Sequence, residues 1–368
     1  MDIFQEILKS LEQEEHIMLA TIISTTGSTP AAELSKMIVR NHGLTAVGTV
    51  GGGCMEAEVL TWMRSLYDKK EAKIVTFHLN EDNVESGFIC GGSLDVLIES
   101  LDRSFLPVLD EQMETRSRGR DSALVTVLQK CKSIAKCFVD DNDGIVGLPT
   151  HLNLKSRILE SAREVIKTHQ VDRFRVEDYE IVVEPIAGQP SLIIFGGGHV
   201  SKFVSHFAAQ VGFRVTVVDD RVAFANKERF PEAAEIVCED FLKAIDRLSI
   251  TPKTYVAIIT RGHKFDEVVL ERIIRSEAKY MGVIGSKRKV LTAYKHYLQK
   301  GIPRELIERI HGPIGLDIGA ITAEEIGVSI VSELISVRRG GRSAVPTKSL
   351  DMPKLLSSLE EKSAKGEP

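Results

Sequence analysis

The second half of the chain alternates short β-branched runs with longer amphipathic segments, which is the pattern of βαβ units. The runs lack apolar–polar alternation, as strands do when helices cover both faces of a parallel sheet. The pattern predicts strands at 191–196, 214–219, 234–238, 254–260 and 280–284, and helices between them, for example at 199–211 and 265–277. A final helix is predicted to start at Thr322, because Thr322 and Glu325 have the spacing of a capping box.

The first half is less regular and predicts a mixed α+β domain. Strands are expected at 18–25, 36–40, 73–79, 94–99, 122–129 and 179–186, with a hairpin turn at 41–43 and a glycine loop that runs into a helix after residue 50. The predicted fold class is therefore α/β, with an N-terminal mixed α+β domain followed by a C-terminal Rossmann-like, doubly wound parallel sheet. The predicted boundaries are 1–188 for the first domain, 189–340 for the second and 341–368 for a flexible tail.

Composition narrows the functional classes. The chain has 368 residues, 43% of them hydrophobic, and 47 Lys and Arg against 52 Asp and Glu give a net charge of −5. This balance excludes extensive disorder and argues against a nucleic-acid partner. No apolar run is long enough for a membrane helix, and the amphipathic, acidic start does not resemble a secretory signal. Five scattered cysteines are typical of reduced thiols, so a cytoplasmic protein is expected.

A glycine motif lies between the first predicted strand and helix of the second half. Gly196, Gly198 and Ser201 fill a GxGxxG pattern with serine in the third place, and Asp219 ends the next predicted strand. Such glycines let a pyrophosphate approach the backbone, and the acid would bind a ribose hydroxyl. The same turn is also found where its only role is to pack a helix on a strand. Dinucleotide binding is therefore one of two interpretations, and helix–strand packing is the other. His199, directly after the glycines, is unusual for a plain dinucleotide site.

Further candidate residues follow other strands of the same predicted sheet. Ligands of open α/β sheets bind along the edge formed by the carboxyl ends of the strands. Loops at 260–266, 284–289 and 311–320 are expected at that edge, where they would present a cation, a titratable ring, the carboxylate of Asp266 and a helix start suited to phosphate. The alternative is that each loop is only a solvated helix cap. The candidates are Arg261, His263, Ser286, Lys287 and Arg288.

The first half offers two glycine–cysteine segments. Gly51, Gly52 and Gly53 precede Cys54 and a predicted helix, and Cys90 precedes two glycines, Gly91 and Gly92, and a strand. A glycine run that enters a helix can bind an anion, and a thiol at a helix N-terminus has its thiolate stabilised. The alternative is that both cysteines are small buried residues beside tight turns. The other three cysteines, at 131, 137 and 238, are expected in the core.

Several motifs together resemble one protein family. GSTP, KMIV, GTVGGGCMEAEV and CGGSLDVLIE in the first half are similar to the N-terminal domain of the xanthine dehydrogenase accessory proteins, the XdhC/CoxI family. IIFGGGHVSKF, VTVVDDR, TRGHKFD, VIGSKRK and HGPIGLDIGAITAEEIG are similar to that family's Rossmann-like domain. The resemblance extends in the same order over about residues 15–339.

The resemblance implies a non-catalytic chaperone in molybdoenzyme maturation. Such proteins bind molybdenum cofactor (a molybdopterin), protect its sulfurated form and deliver it to a xanthine dehydrogenase-type apoenzyme; a cysteine desulfurase is a further candidate partner. We hypothesise that the two glycine segments receive the anionic part of the cofactor. Cys54 or Cys90 would then face the molybdenum or its terminal sulfur, as soft thiolates can.

One stretch departs from the family pattern, and two other functions stay open. After GSTP the family continues with a basic residue and a Gly-Ala before Lys-Met, whereas here 31–35 reads AAELS. The first alternative function is an NAD(P)-dependent oxidoreductase that uses Gly196, Gly198 and Asp219, with His199 or His263 as acid–base. The second is a nucleotide-sensing regulatory module that requires a partner but no turnover. A homodimer is also expected, because exposed strands are predicted in the first domain and such oligomers are usually twofold.

Overall fold

The computed structural model describes residues 2–41, 43–79 and 91–340. Cys90 and the predicted tail at 341–368 lie outside the described residues, as do His42 and the side chain of His263. The chain divides into two compact units, one up to Gln189 and the other from Pro190 onward. Within the described ranges, no helix is long and apolar enough to cross a membrane.

The first unit begins with a five-stranded antiparallel sheet in the order β3-β2-β1-β5-β4. Its elements are α1 (Ile3–Gln13), β1 (His16–Thr26), β2 (Lys36–Arg40), β3 (Thr45–Gly48), α2 (Gly53–Tyr67), β4 (Lys73–His78) and β5 (Ser93–Asp102). Helix α2 packs on this sheet because Met55, Val59, Met63 and Leu66 recur at helical spacing and are buried. Strands β2 and β3 pair as the predicted hairpin.

A second antiparallel sheet completes this unit, in the order β8-β7-β6-β10-β9. Its elements are α3 (Leu106–Ser117), β6 (Ser122–Gln129), β7 (Lys132–Asp140), β8 (Ile145–Val146), α4 (Lys155–Thr168), β9 (Asp172–Val176) and β10 (Tyr179–Ile186). Short 3₁₀ turns occupy Arg103–Phe105 and Thr150–Leu152. Apolar side chains from both sheets share one core cluster, in which Ile17 and Leu19 of β1 meet Leu124 and Phe138.

Buried charges also join the two sheets of the first unit. Lys36 of β2 donates to Glu184 of β10, and Lys136 of β7 donates to Glu99 of β5. All four side chains are nearly inaccessible, at 6% or less of their surface. Burial raises the pKa of the Glu184 carboxyl, but the charges of Lys36 and Lys136 outweigh it and hold that pKa below its ordinary value. The two sheets are thus joined by buried ion pairs as well as by apolar packing.

The second unit is the predicted doubly wound parallel sheet, with strand order β13-β12-β11-β14-β15-β16. Its strands are β11 (Ser191–Phe195), β12 (Arg214–Asp219), β13 (Glu235–Cys238), β14 (Thr254–Ile258), β15 (Tyr280–Val283) and β16 (Ile310–His311). Its helices are α5 (His199–Gln210), α6 (Phe241–Arg247), α7 (His263–Ile273), α8 (Lys287–Gln299), α9 (Arg304–Glu308) and α10 (Ala323–Arg339). The predicted α/β fold class is confirmed.

Both faces of this sheet are buried, which explains the uninterrupted apolar strands. In β11, Ile193 and Phe195 face one core cluster and Leu192 and Ile194 face the other. Helix α10 begins with the predicted capping box, in which Glu325 N–H donates to the Thr322 hydroxyl and the Thr322 N–H donates to the Glu325 carboxylate.

The expectation for the cysteines outside the two glycine segments was partly wrong. Cys137 is buried in β7, as expected, and burial raises the pKa of its thiol to about 12. Cys131 is exposed, because it forms with Lys130 the two-residue turn between β6 and β7, where both residues have left-handed backbone. Cys238 is also exposed, because it ends β13 at the edge of the parallel sheet.

Candidate functional site

Three loops of the first unit meet at one place, which we call the loop cluster: residues 27–31, 49–54 and 91–92. A Cβ added at Gly92 would lie 2.4 Å from the Ser28 carbonyl oxygen, and one added at Gly51 would lie 2.9 Å from the Pro30 ring. These contacts admit only glycine at 51 and 92 without a shift of the chain. The structure therefore brings the two predicted glycine segments together, with the GSTP loop between them.

The described residues do not crowd the N-terminus of α2 at the loop cluster. Gly51, Gly52 and Gly53 all have positive φ, and a Cβ at Gly52 or Gly53 would meet no described atom within 4 Å. The same holds for Gly91, the first described residue after Cys90. Among the described residues, no side chain caps the first turn of α2. The exposed Cys54 lies in that turn, where backbone N–H groups and the helix dipole favour a negative ligand.

Part of the predicted anion site is already occupied by the protein's own carboxylate. Glu56 accepts hydrogen bonds from the N–H groups of Val50 (3.3 Å) and Gly52 (3.0 Å) and from the Thr49 hydroxyl. The Gly51 N–H donates to the Thr49 hydroxyl at 3.2 Å. The amides of this loop are therefore used internally, and the first turn of α2 is the part left for a ligand.

The segment that departs from the family pattern keeps a glycine-like backbone. Leu34, which stands where the family has glycine, has a φ of 67°. Its N–H donates to the Ile22 carbonyl, and the Ile22 N–H donates to the Ser35 carbonyl, so the turn is fixed by β1. Left-handed backbone is costly for a branched side chain, so this leucine is strained.

In the second unit, the glycine motif is required by close packing. Gly196 has a φ of 104°, and a Cβ there would lie 2.2 Å from the Ile259 carbonyl oxygen. A Cβ at Gly197 would lie 2.2 Å from the Phe224 carbonyl oxygen. Gly198 differs, since no atom of the described residues lies within 4 Å of its added Cβ, and His199 beside it is exposed at the start of α5. The open part of the motif is therefore its last glycine and the helix start.

The acidic residue of the motif, Asp219, is hydrogen-bonded to other groups of the protein. Asp219 is fully buried, and its carboxylate accepts from the Gly197 N–H (2.8 Å) and from the Arg221 guanidinium (2.8 and 2.9 Å). The Arg221 guanidinium also stacks 3.7 Å above the Phe224 ring. In this arrangement, the carboxylate that would bind a ribose holds the glycine loop instead.

The other rim residues form two groups. Arg261 makes a bidentate ion pair with Asp220, and this contact holds the pKa of the Asp220 carboxyl below its ordinary value. His263 begins α7, with its side chain outside the described residues. Ser286, Lys287 and Arg288 lie at the start of α8, and no side chain in the described part of the chain caps that helix. The cavity between α7 and α8 is bordered by Ser286 and Arg288.

Two polar clusters were not found from the sequence. The first is the carboxylate of Glu56 with the loop amides; Glu56 could have been recognised, because it stands four residues after Gly52 in the first turn of a helix. The other cluster lies behind β15 and β16, where Glu333 accepts from Tyr280 and from the Gly315 N–H (2.8 Å) and contacts His311 (3.2 Å). Across the described ranges, no group of three or more His, Cys, Asp or Glu could hold a metal ion.

Comparison with known proteins agrees with this architecture. A family model described as "XdhC and CoxI family" matches residues 10–78, and one described as "XdhC Rossmann domain" matches residues 192–334. The chain also resembles a solved structure titled a xanthine dehydrogenase from Bacillus halodurans, with a TM-score of 0.75 at 24% identity over 96% of this chain and 100% of that one. That likeness shows the fold.

Two curated relatives are each 25% identical to the chain. A protein of Bacillus subtilis that is named as a probable xanthine dehydrogenase subunit matches over 89% of this chain and 95% of its own length. The "Uncharacterized protein YqeB" of Escherichia coli matches over 95% of this chain, which spans only 48% of that relative. Because the two family models together match more than half of its residues, in the same order and on the two units seen here, the chain belongs to the XdhC and CoxI family.

Proposed function

We propose that this protein binds molybdenum cofactor in its first unit, protects the sulfurated form and delivers it to a xanthine dehydrogenase-type apoenzyme. The observation that carries the proposal is the convergence of the GSTP loop, Gly51–Gly53 with Cys54, and Gly91–Gly92 in one loop cluster. The family membership and the name of the B. subtilis relative support the link to xanthine dehydrogenase. The cofactor is here a cargo, so no turnover is required.

The chemistry of the loop cluster fits the metal end of such a cargo. The exposed Cys54 thiol is a soft ligand suited to molybdenum or its terminal sulfur, and Cys90, which precedes Gly91 in the sequence but lies outside the described residues, is the second candidate. No described atom stands within 4 Å of a Cβ added at Gly52, Gly53 or Gly91, so the described part of the cluster lets a ligand approach the backbone there. A helix N-terminus without a side-chain cap adds N–H donors for a negatively charged ligand.

The loop cluster fits the phosphate end less well. Glu56 already takes up the loop amides, and the departing segment carries Glu33 but no basic residue. We therefore propose that the loop cluster binds the metal and dithiolene part of the cargo, and that Gly51 and Gly52 do not bind its phosphate.

Cofactor retention tests this proposal. The purified protein is incubated anaerobically with molybdenum cofactor, and molybdenum and pterin are measured after gel filtration. We expect stoichiometric retention by the wild type and a loss in Cys54→Ala, with Cys90→Ala as the second variant. Cys131→Ala is the matched control, because Cys131 is also exposed but lies outside the loop cluster. Retention by none of these proteins, or equal retention by all of them, contradicts the proposal.

The oxidoreductase alternative makes a different prediction in the same preparation. It needs the Asp219 carboxylate for a ribose, whereas that group is buried and bonded to Gly197 and Arg221. We expect no saturable binding of NAD(H) or NADP(H) by calorimetry. Saturable binding without cofactor retention would favour the oxidoreductase.

A further inference from the structure

The second unit contains a cavity of about 410 Å³ between α7 and α8, at the carboxyl end of β15. Its walls are mostly apolar and include Leu270 of α7, Val283 and Ile284 at the end of β15, and Val290 and Ala293 of α8. This volume lies within the range of small-molecule sites. An apolar slot of this kind suits a flat ring system.

One side of the cavity mouth is cationic. Arg288 and Lys289 line it together with Ser286, and Lys287 precedes them, so three consecutive cations stand in the first turn of α8. Cations at a helix N-terminus are unfavourable, because the helix dipole is positive there. In the described part of the chain none of the three forms an ion pair, and the Ser286 hydroxyl does not cap the helix. A bound phosphate would remove this repulsion and use the free amides of the turn.

The opposite side of the mouth is acidic. Asp266, in the first turn of α7, and Glu267, the next residue, both line the cavity. The Asp266 carboxylate is oriented by the Thr260 hydroxyl at 2.6 Å and the Thr260 N–H at 3.3 Å. Glu267 is partly exposed. Carboxylates across an apolar slot from a phosphate site accept hydrogen bonds from a ring edge that carries N–H groups.

A buried hydroxyl in the cavity wall has no partner. Tyr297 of α8 lines the cavity and is fully buried, yet its hydroxyl makes no hydrogen bond with any described residue. Leaving a buried hydroxyl unsatisfied is costly, so such groups usually have a partner in the functional state. The neighbouring Tyr294 hydroxyl, by contrast, donates to the Ile310 carbonyl. Tyr297 is therefore available to a polar atom of a ligand.

We propose that this cavity binds the phosphate monoester of a flat fused heterocycle that has a 2-amino-4-oxo-pyrimidine edge. The ring would lie in the apolar slot, with its N–H edge toward Asp266 and Glu267 and its phosphate at Ser286, Arg288 and Lys289. Guanine nucleotides have this chemistry, and the inference commits to them as the ligand class. It stands independently of the proposed function, which concerns the first unit.

Titration calorimetry on the full chain tests the inference, with GMP as the probe and AMP, guanosine, inorganic phosphate and a monophosphorylated pterin as comparators. Loss of one charge-assisted hydrogen bond is worth about 1.5–3 kcal/mol, so we expect Arg288→Ala to weaken binding about 10- to 100-fold. Lys295→Ala is the matched control, since Lys295 is an exposed cation on α8 that does not line the cavity. Glu267→Gln should reduce the preference for GMP over AMP.

The outcomes separate this inference from the proposed function. Binding of GMP that falls in Arg288→Ala and not in Lys295→Ala supports it. Binding of inorganic phosphate as tight as GMP, tighter binding of the pterin phosphate than of GMP, no binding at all, or binding that Arg288→Ala leaves unchanged overturns it. Cys54→Ala should leave GMP binding intact, so loss of cofactor retention in that variant concerns the proposed function alone.

Discussion

Replacing Lys36 with methionine should strongly destabilise the first unit. Lys36 donates to Glu184 and, at 3.0 Å, to the Thr21 hydroxyl, and the two charged side chains are only 6% and 0% exposed. One oxygen of Glu184 already lacks a partner among the described residues, and the substitution would leave the other without its lysine. The four-charge cluster, neutral in the wild type, would then carry a net negative charge in the interior.

The size of the effect follows from what remains buried. Removing one partner of a buried ion pair costs about 3–5 kcal/mol, because the other charge stays uncompensated. At about 2–4 °C per kcal/mol for a unit of this size, the midpoint of thermal unfolding should fall by roughly 6–20 °C. The double variant Lys36→Met/Glu184→Leu leaves Lys136 and Glu99 as a neutral pair. It should be much closer to wild type, since buried pairs are often replaced by apolar side chains at little cost.

The chain provides its own probe for this measurement. Trp62 is the single tryptophan and lies in α2, so its fluorescence during urea or thermal unfolding reports on the first unit. In the single variant, burial without Lys36 should raise the pKa of Glu184 above that in the unfolded chain. The penalty is then fully present above that raised pKa and disappears as the pH falls toward about 4.3, the unfolded value.

Equal destabilisation by the single and double variants would refute this reasoning, because it would assign the loss to packing and not to an uncompensated charge. A deficit in Lys36→Met that does not shrink as the pH is lowered toward about 4.3 would contradict it as well, since protonation of Glu184 should remove the penalty. Far-UV circular dichroism is the control, because it follows both units whereas Trp62 fluorescence follows only the first. Comparing the two signals separates unfolding of the second unit from that of the first.

Three further predictions concern backbone and charge at the two candidate sites. Leu34→Gly should stabilise the first unit by about 1 kcal/mol, since a φ of 67° is costly for leucine; a lower unfolding midpoint would contradict this. Gly197→Ala should destabilise the second unit by about 1–3 kcal/mol, because the added Cβ lies 2.2 Å from a carbonyl oxygen. Gly198→Ala, with open space around its Cβ, is the matched control for thermal unfolding. Arg261→Gln should raise the pKa of Asp220, followed by carboxyl NMR titration. In the wild type, the stability from this contact is present above the unfolded pKa and lost as the pH falls through the lowered one. An unchanged Asp220 titration would show that the ion pair does not form in solution.

The Rossmann half could be predicted from the sequence because its signals are local. Each buried strand is a short apolar run, the glycine turn at 196–198 is determined by close approaches to the chain, and the capping box at Thr322 lies within one turn. The predicted strand at 214–219 agrees residue for residue with β12, and the others differ by one or two residues at their ends.

In the first half the predicted strands 36–40, 122–129 and 179–186 also agree exactly with the structure. The arrangement of the strands into two sheets was not predicted, because it depends on distant pairings. Strand β5 lies between β1 and β4, and two separate sheets are joined by Lys36 and Glu184, which are 148 residues apart. No local pattern specifies such contacts. The exposed Cys131 was missed for a related reason, since neither it nor Lys130 is a residue type that favours a left-handed turn.

At the candidate sites, the sequence identified the residue types but not the hydrogen bonds that those residues make. The convergence of the two glycine segments required the fold, since Gly91–Gly92 reach the GSTP loop through the β1–β5 pairing. Asp219 stands where a ribose-binding acid is expected, yet its carboxylate holds Gly197 and Arg221. A motif specifies a position in the fold, whereas the hydrogen bonds of the neighbours decide what that position does.

The location of Trp62 also determines how loading of the protein can be observed. It stands eight residues after Cys54 on the same helix, which at about 1.5 Å per residue is a rise of roughly 12 Å. Its ring is held against Lys73, whose ammonium lies 4.2 Å from the ring centre. At this separation a pterin bound beside Cys54 would accept excitation energy from the indole. Cargo binding and release would therefore be visible in real time as quenching and recovery of tryptophan emission, without any added label.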